Sequence, residues 1–143
     1  MFSNLFQKSK INYASFEDVQ FAVKYPEQFI IINTLPIHEQ EFLIYNTLPC
    51  EKEEQVLNDM LTTYDLKSKY IIVYGKNCND ESVEKKYKQI SDFGFTHIYL
   101  YGGGMFEWLL MQDIYGKDEF NTTNFTLDLL KFKPMRNITG RLL

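Results

Sequence analysis

Apolar residues fall in short clusters along the chain, and their period changes from one cluster to the next. Phe29-Ile30-Ile31-Ile32 and Tyr70-Ile71-Ile72-Val73-Tyr74 are short, uninterrupted and β-branched. Runs of that length and branching predict buried strands, because a helix needs more residues. His97-Ile98-Tyr99-Leu100-Tyr101 predicts another, and Phe42 to Tyr45 a further one. Between them the period becomes helical. Phe16, Val19, Phe21 and Ala22 share one face, with Ser15 and Asp18 at capping-box spacing before them and Pro26 as the stop. Val56, Leu57, Met60, Leu61 and Tyr64 follow a start rich in Glu51, Glu53 and Glu54, where acids suit the helix dipole. Val83, Tyr87, Ile90 and Phe93 mark a third helix ended by Gly94, and Met105 to about Ile114 a fourth, closed by Gly116. The first 13 residues have no period and read as an arm.

Strands and helices therefore alternate from Phe29 to Ile114. Alternation with fully apolar strands predicts an α/β fold with a mostly parallel sheet flanked by helices on both faces. Asn33-Thr34-Leu35-Pro36 recurs as Asn46-Thr47-Leu48-Pro49, which reads as two similar strand exits. Beyond Gly116, Phe120, Phe125, Leu127 and Leu130 are placed to pack back on the domain. The stretch from Leu129 to Leu143 carries Lys131, Lys133, Arg136 and Arg141 without an acid and reads as a solvated terminus.

Composition narrows the function classes. The 143 residues fit one domain, and the hydrophobic and charged shares, 45% and 24%, are those of a soluble globular protein. A formal charge of −4 argues against nucleic acid as a partner, because phosphate neutralisation needs clustered Lys and Arg. No apolar run reaches membrane-spanning length, so no membrane partner is expected. Met1 to Lys10 lacks the apolar stretch of a secretory signal, and Cys50 and Cys78 are too few for a disulfide framework. An intracellular, cytoplasmic setting is expected, and the sequon Asn137-Ile138-Thr139 is accordingly discounted.

Most candidate chemistry falls away on inspection. His38 and His97 lack a Cys or carboxylate at zinc-ligand spacing, and His38-Glu39-Gln40-Glu41 lacks the second histidine of a zincin helix, so no metal site is read. Gly102-Gly103-Gly104-Met105 is not the dinucleotide fingerprint, and no cofactor is read. Cys50 sits at a helix start, but three glutamates crowd it. Trp108, with Phe106, Leu109 and Leu110, reads as a core anchor beneath the sheet. What remains is the loop Gly75-Lys76-Asn77-Cys78-Asn79-Asp80-Glu81-Ser82, between a strand's carboxyl end and a helix start. Ligands of open parallel sheets bind there, and helix-start amides can cradle an anion.

Three stretches carry a family resemblance: Phe29 to Asn33, Tyr70 to Tyr74 with its loop and helix, and above all Gly94-Phe95, His97 to Leu100, then Gly103-Gly104-Met105-Phe106-Glu107-Trp108. Residues 14–116 resemble the rhodanese-like domains, with 117–143 as a C-terminal extension. The resemblance implies a mostly parallel five-stranded sheet flanked by helices. It implies sulfur transfer through a cysteine directly after the central strand, or the chemistry of certain dual-specificity phosphatases.

The chain departs from that pattern in two ways. Gly75 occupies the nucleophile's position, and the only loop cysteine, Cys78, comes three residues later. From Lys76 to Glu81 the loop holds one base and two acids, so an anionic donor is repelled where the family attracts it. No arginine in the loop clamps a phosphate. The expected function is a catalytically inactive or altered rhodanese-like domain acting as a binding or regulatory module. The alternative is a thiosulfate-type sulfurtransferase or persulfide carrier using Cys78, with Lys76, Asn77, Asn79 and Ser82 as loop donors. The partner implied is a protein, a small sulfur donor or a second copy of the chain.

Overall fold

A computed structural model describes residues 10–126 and 128–138. Four parallel strands make one sheet in the order β1-β4-β3-β2. They are β1 (Tyr13–Ala14), β2 (Phe29–Asn33), β3 (Tyr70–Tyr74) and β4 (Ile98–Tyr101). The helices are α1 (Phe16–Lys24), α2 (Cys50–Thr62), α3 (Glu81–Asp92) and α4 (Gly104–Tyr115). Single 3₁₀ turns occur at Ile37–Glu39 and Leu129–Phe132. Among the described residues no helix is long and apolar enough to cross a membrane.

The local signals act where the sequence places them. Ser15 caps α1, its hydroxyl accepting from the Asp18 amide while Asp18 accepts from the Ser15 amide. Gly94 (φ 104°) and Gly116 (φ 101°) take the left-handed conformations that end α3 and α4. Successive strand residues point to opposite faces, so the apolar contacts separate into two clusters. One joins Ile31, Ile72, Tyr74 and Tyr101 to Val19 and Ala22 of α1 and to Met105, Trp108 and Leu109 of α4. The other joins Ile30, Ile32, Ile71, Val73, Ile98 and Leu100 to Leu57 and Met60 of α2 and to Val83, Tyr87 and Ile90 of α3.

Among the described residues the sheet has four strands and not the expected five. Phe42 to Tyr45 does not join it, because that backbone is spent elsewhere. The Leu43 amide donates to Thr123 Oγ1 at 3.1 Å, that of Ile44 to the Tyr74 hydroxyl at 3.1 Å, and that of Tyr45 to Asn121 O at 3.0 Å. The outer edge of β2 is instead met by a single bridge from Thr47 to Ile31. Burial holds the Tyr74 phenol in its neutral form well above the ordinary tyrosine range, although Thr47 and the Ile44 amide partly offset that. Tyr13, expected in the arm, instead pairs with Leu100 in β1, beside Ala14 on Tyr101.

Four side chains leave the faces their spacing assigned them, and the first is Phe21 of α1, which is half exposed. Tyr64 lies past the end of α2, at φ 56° and fully in solvent, and Phe93 is half exposed at the end of α3. Leu110 turns outward beside the buried Trp108 and Leu109. After Gly116, Phe120 and Phe132 enter the core while Phe125 and Leu130 stay exposed. Leu127, Thr139 and Arg141 lie outside the described residues.

Candidate functional site

The loop that follows β3 is built around one carboxylate. Asp80 is the N-cap of α3. Its Oδ1 accepts from the Ser82 amide at 3.1 Å and the Ser82 hydroxyl at 2.5 Å. Its Oδ2 accepts from the Lys76 amide at 2.9 Å. The acid therefore satisfies a helix-start donor and folds back to hold a loop amide of the kind that cradles an anion. Ser82 Oγ also reaches Thr34 Oγ1 at 2.9 Å, which ties the loop to the end of β2.

Gly75 has no room for a side chain. A β-carbon there would fall inside the envelope of Val83 Cγ2, 2.5 Å from Asp80 Oδ2 and 2.8 Å from Thr34 Oγ1. Val83 is buried in α3, where a valine has one strongly preferred rotamer. α4 closes the loop from the other side. Its Met105 and Phe106 amides donate to Gly75 O at 2.9 Å and Lys76 O at 3.0 Å, so loop carbonyls satisfy two donors of the helix start. Gly104 (φ 63°) permits that approach, because a β-carbon there would lie 2.6 Å from Gly75 O.

The remaining loop residues face outward or toward the extension. Lys76 Nζ pairs with Glu39 Oε1 at 3.3 Å, which spends the loop's one positive charge. Asn77 accepts from the Asn79 amide at 2.9 Å and donates to Phe132 O at 3.0 Å, which straps the loop to the last turn. Cys78 is exposed, and its thiol donates to Asn79 Oδ1 at 3.8 Å. Asn77, Cys78, Asn79, Asp80 and Glu81 line an open cleft of about 480 Å³ against Tyr101 and Gly102. Among the described residues its lining carries Asp80, Glu81 and Glu84 and no basic residue. Burial, reinforced by the hydrogen bond to Glu107 at 2.8 Å, holds the Tyr101 phenol neutral. Glu39, Phe132 and Gly104 escaped the sequence reading as parts of this site. Only the triple glycine carried a signal for any of them.

Among the described residues no group of three His, Cys, Asp or Glu side chains is placed to hold a metal ion. Cys50 lies away from the loop, where burial, then Glu51 and Glu53, raise its thiol above the ordinary range. Alkylation needs the thiolate, so a raised value slows it at any pH below the thiol's own. In a limited iodoacetamide reaction at pH 8, peptide mapping is expected to find Cys78 modified well before Cys50. Equal rates would remove the inhibition assigned to the glutamates.

The arrangement of strands, loop and helices has counterparts among solved structures. An uncharacterized protein from Saccharomyces cerevisiae matches with 19% identity over 73% of this chain and 96% of that one, at a TM-score of 0.52. The Alr3790 protein from Anabaena sp. matches with 16% identity over 82% and 97%, at 0.53. The single-domain sulfurtransferase RDL2 from Saccharomyces cerevisiae matches with 14% identity over 77% and 98%, at 0.52. The fold is rhodanese-like. At these identities the likeness concerns the rhodanese-like fold alone. No family model and no curated protein matches the sequence.

Proposed function

We propose that this rhodanese-like domain, its sheet flanked on both faces by helices, is catalytically inactive and acts by binding a protein partner at the loop Gly75–Ser82. One observation carries the reading: the seat directly after β3 is filled. Val83, Asp80 and Thr34 occupy the space a side chain at Gly75 would need. The Asp80 carboxylate takes the Lys76 amide, and Glu39 takes the Lys76 ammonium. An incoming anion meets these internal partners first.

The competing reading places a persulfide on Cys78, which is exposed at the cleft. There the thiolate would attack the outer sulfur of thiosulfate, forming an S–S bond as sulfite leaves. Cyanide would then carry the sulfur off as thiocyanate. Intact-mass analysis after incubation with thiosulfate decides between them. The expected result is no cyanide-removable sulfur, and identical behaviour for Cys78→Ser. A sulfur that cyanide removes, and that Cys78→Ser abolishes, would overturn the inactive reading.

A further inference from the structure

The amino end of the sheet, opposite the loop, is incompletely covered. Phe29 and Tyr70 begin β2 and β3 side by side. With Phe21 of α1, Tyr99 of β4, Ala14 and Asp18, they line a hollow of about 220 Å³. Neighbouring rings lie 5.7 Å apart from Phe21 to Phe29, 5.3 Å from Phe29 to Tyr70 and 6.2 Å from Tyr70 to Tyr99. The surface is therefore continuous, not a scatter of single apolar side chains, and continuity is the mark of a contact surface. The spacing of α1 assigns Phe21 to the core, yet it is 50% exposed, and Tyr70 is 39% exposed.

The course of the chain names an occupant. β1 runs parallel to β4, with Ala14 beside Tyr101 and Asn12 O accepting from the Leu100 amide at 2.8 Å. Traced backward from Ala14, itself part of the lining, the chain heads for the end of the sheet where the hollow opens. Lys10 is the first described residue, and residues 1–9 precede it. Those nine hold Met1, Phe2, Leu5 and Phe6, a dense apolar supply for so short a segment. From Ala14 back to Phe6 an extended chain spans up to about 26 Å. β2, the farthest strand of the hollow, lies three strand spacings from β1, about 14 Å. Charge agrees with reach. Residues 1–10 carry Lys8 and Lys10 and no acid, whereas Asp18 is the one charged residue among the described lining. Volume agrees too, because an apolar cavity of about 150 Å³ takes a benzene ring. A second copy is a poorer fit, since seven residues line the hollow and a stable interface uses about 20–30 a side.

We propose that the hollow between α1 and the amino ends of β2, β3 and β4 is the docking seat of this chain's own residues 1–9. Phe2, Leu5 or Phe6 enters it, and Lys8 and Lys10 lie toward Asp18. The tether makes docking intramolecular, at an effective concentration in the millimolar range for a short link, so a contact too small to hold a free peptide suffices. The seat is at the opposite end of the sheet from the loop Gly75–Ser82, and it stands or falls separately from the reading of that loop.

The test is NMR of the full chain, labelled with carbon-13 and nitrogen-15. Nuclear Overhauser contacts are expected from side-chain protons of Phe2, Leu5 or Phe6 to the methyl protons of Ala14 and Ile72, both of which line the hollow. A sample mixing labelled with unlabelled chains, read through an isotope filter, should show none of these contacts between copies. In the combined variant Phe2→Ser, Leu5→Ser and Phe6→Ser the contacts should vanish. Amide shifts should then move at Ala14, Phe29, Tyr70 and Tyr99 and stay in place at the loop Gly75–Ser82. Phe21→Ser, made on the other side of the contact, should remove the same signals. Absence of the contacts in the unaltered chain would overturn the proposal, and that reading needs no variant to fold. Contacts seen only between copies would overturn it in favour of a dimer. Hollow shifts indifferent to the combined variant would also overturn it and leave the surface to another protein.

Discussion

Trp108→Ala is expected to cost about 3–5 kcal/mol, the largest loss of any single truncation considered for this chain. The indole is fully buried. It meets Tyr101 edge-on at 6.4 Å and Phe120 at 5.0 Å, and its Nε1–H donates to Asn121 O at 3.0 Å. Truncation removes the transfer free energy of a large ring, leaves a cavity between α4 and β4, and strips the Asn121 carbonyl of a donor. Domains of ordinary stability hold only about 5–15 kcal/mol, so the midpoint should fall by on the order of 10–20 °C. Trp108 is the only tryptophan, so unfolding of the variant is followed by circular dichroism instead of indole fluorescence. The loss should also be uneven. Phe120 and Asn121 contact the indole directly, so amide exchange from Phe120 to Thr123 should accelerate more than exchange in β3. A change below about 1 kcal/mol would mean that the indole does not anchor the extension to the core.

That anchor shows what was readable in the chain and what was not. Trp108, the runs Phe29–Asn33 and Tyr70–Tyr74, and the Ser15–Asp18 box are local signals, each interpretable within a few residues. Phe42 to Tyr45 carries an equally apolar local signal, yet its amides go to Thr123, Tyr74 and Asn121, residues about thirty to eighty positions away. Strand propensity describes a residue that suits a pleated surface, and here the surface it found was the extension. The same logic separates Phe132, which is buried, from Phe125 and Leu130, which are exposed. Periodicity is lost after Gly116, and nothing in the spacing distinguishes the ring that inserts from those that do not. Period alone assigns Tyr64 to α2, whereas its positive φ belongs to the turn that follows.

The loop was legible in position and charge but not in geometry. Gly75 and the acids Asp80 and Glu81 are visible as departures from a pattern. That Asp80 folds back on the Lys76 amide, and that Val83 from α3 fills the space over Gly75, depends on how α3 seats against β3. Glu39 reaches Lys76 across 37 residues, a distance no short motif spans. The strand-end location follows from topology, because crossovers in a parallel sheet bring every βα loop to one end. Occupancy of the site follows from packing, and packing is what a linear reading lacks.

Gly75→Cys is expected to restore no sulfur transfer and to destabilise the domain by about 1–3 kcal/mol. The substitution returns a thiol to the residue directly after β3, where the resemblance places a nucleophile. The space is already taken by Val83 Cγ2, by Asp80 Oδ2 at 2.5 Å and by Thr34 Oγ1 at 2.8 Å from the new β-carbon. Val83 is fixed in a helix and packed with Tyr87 and Ile90, so relief requires the first turn of α3 to shift. That shift pulls Asp80 from the Lys76 amide and weakens the cap, each a further loss. Gly75→Ala carries the same β-carbon without sulfur and should lose nearly the same stability, which isolates the steric part. If packing alone closes the seat, Gly75→Cys combined with Val83→Ala and Asp80→Ser should recover stability relative to the sum of the separate losses, because the three positions touch. Thiosulfate-to-cyanide transfer by Gly75→Cys is expected to stay at the level of Gly75→Ala. A fully stable Gly75→Cys protein that takes up a cyanide-removable sulfur would show the seat to be open, and the binding reading would lose the observation that carries it.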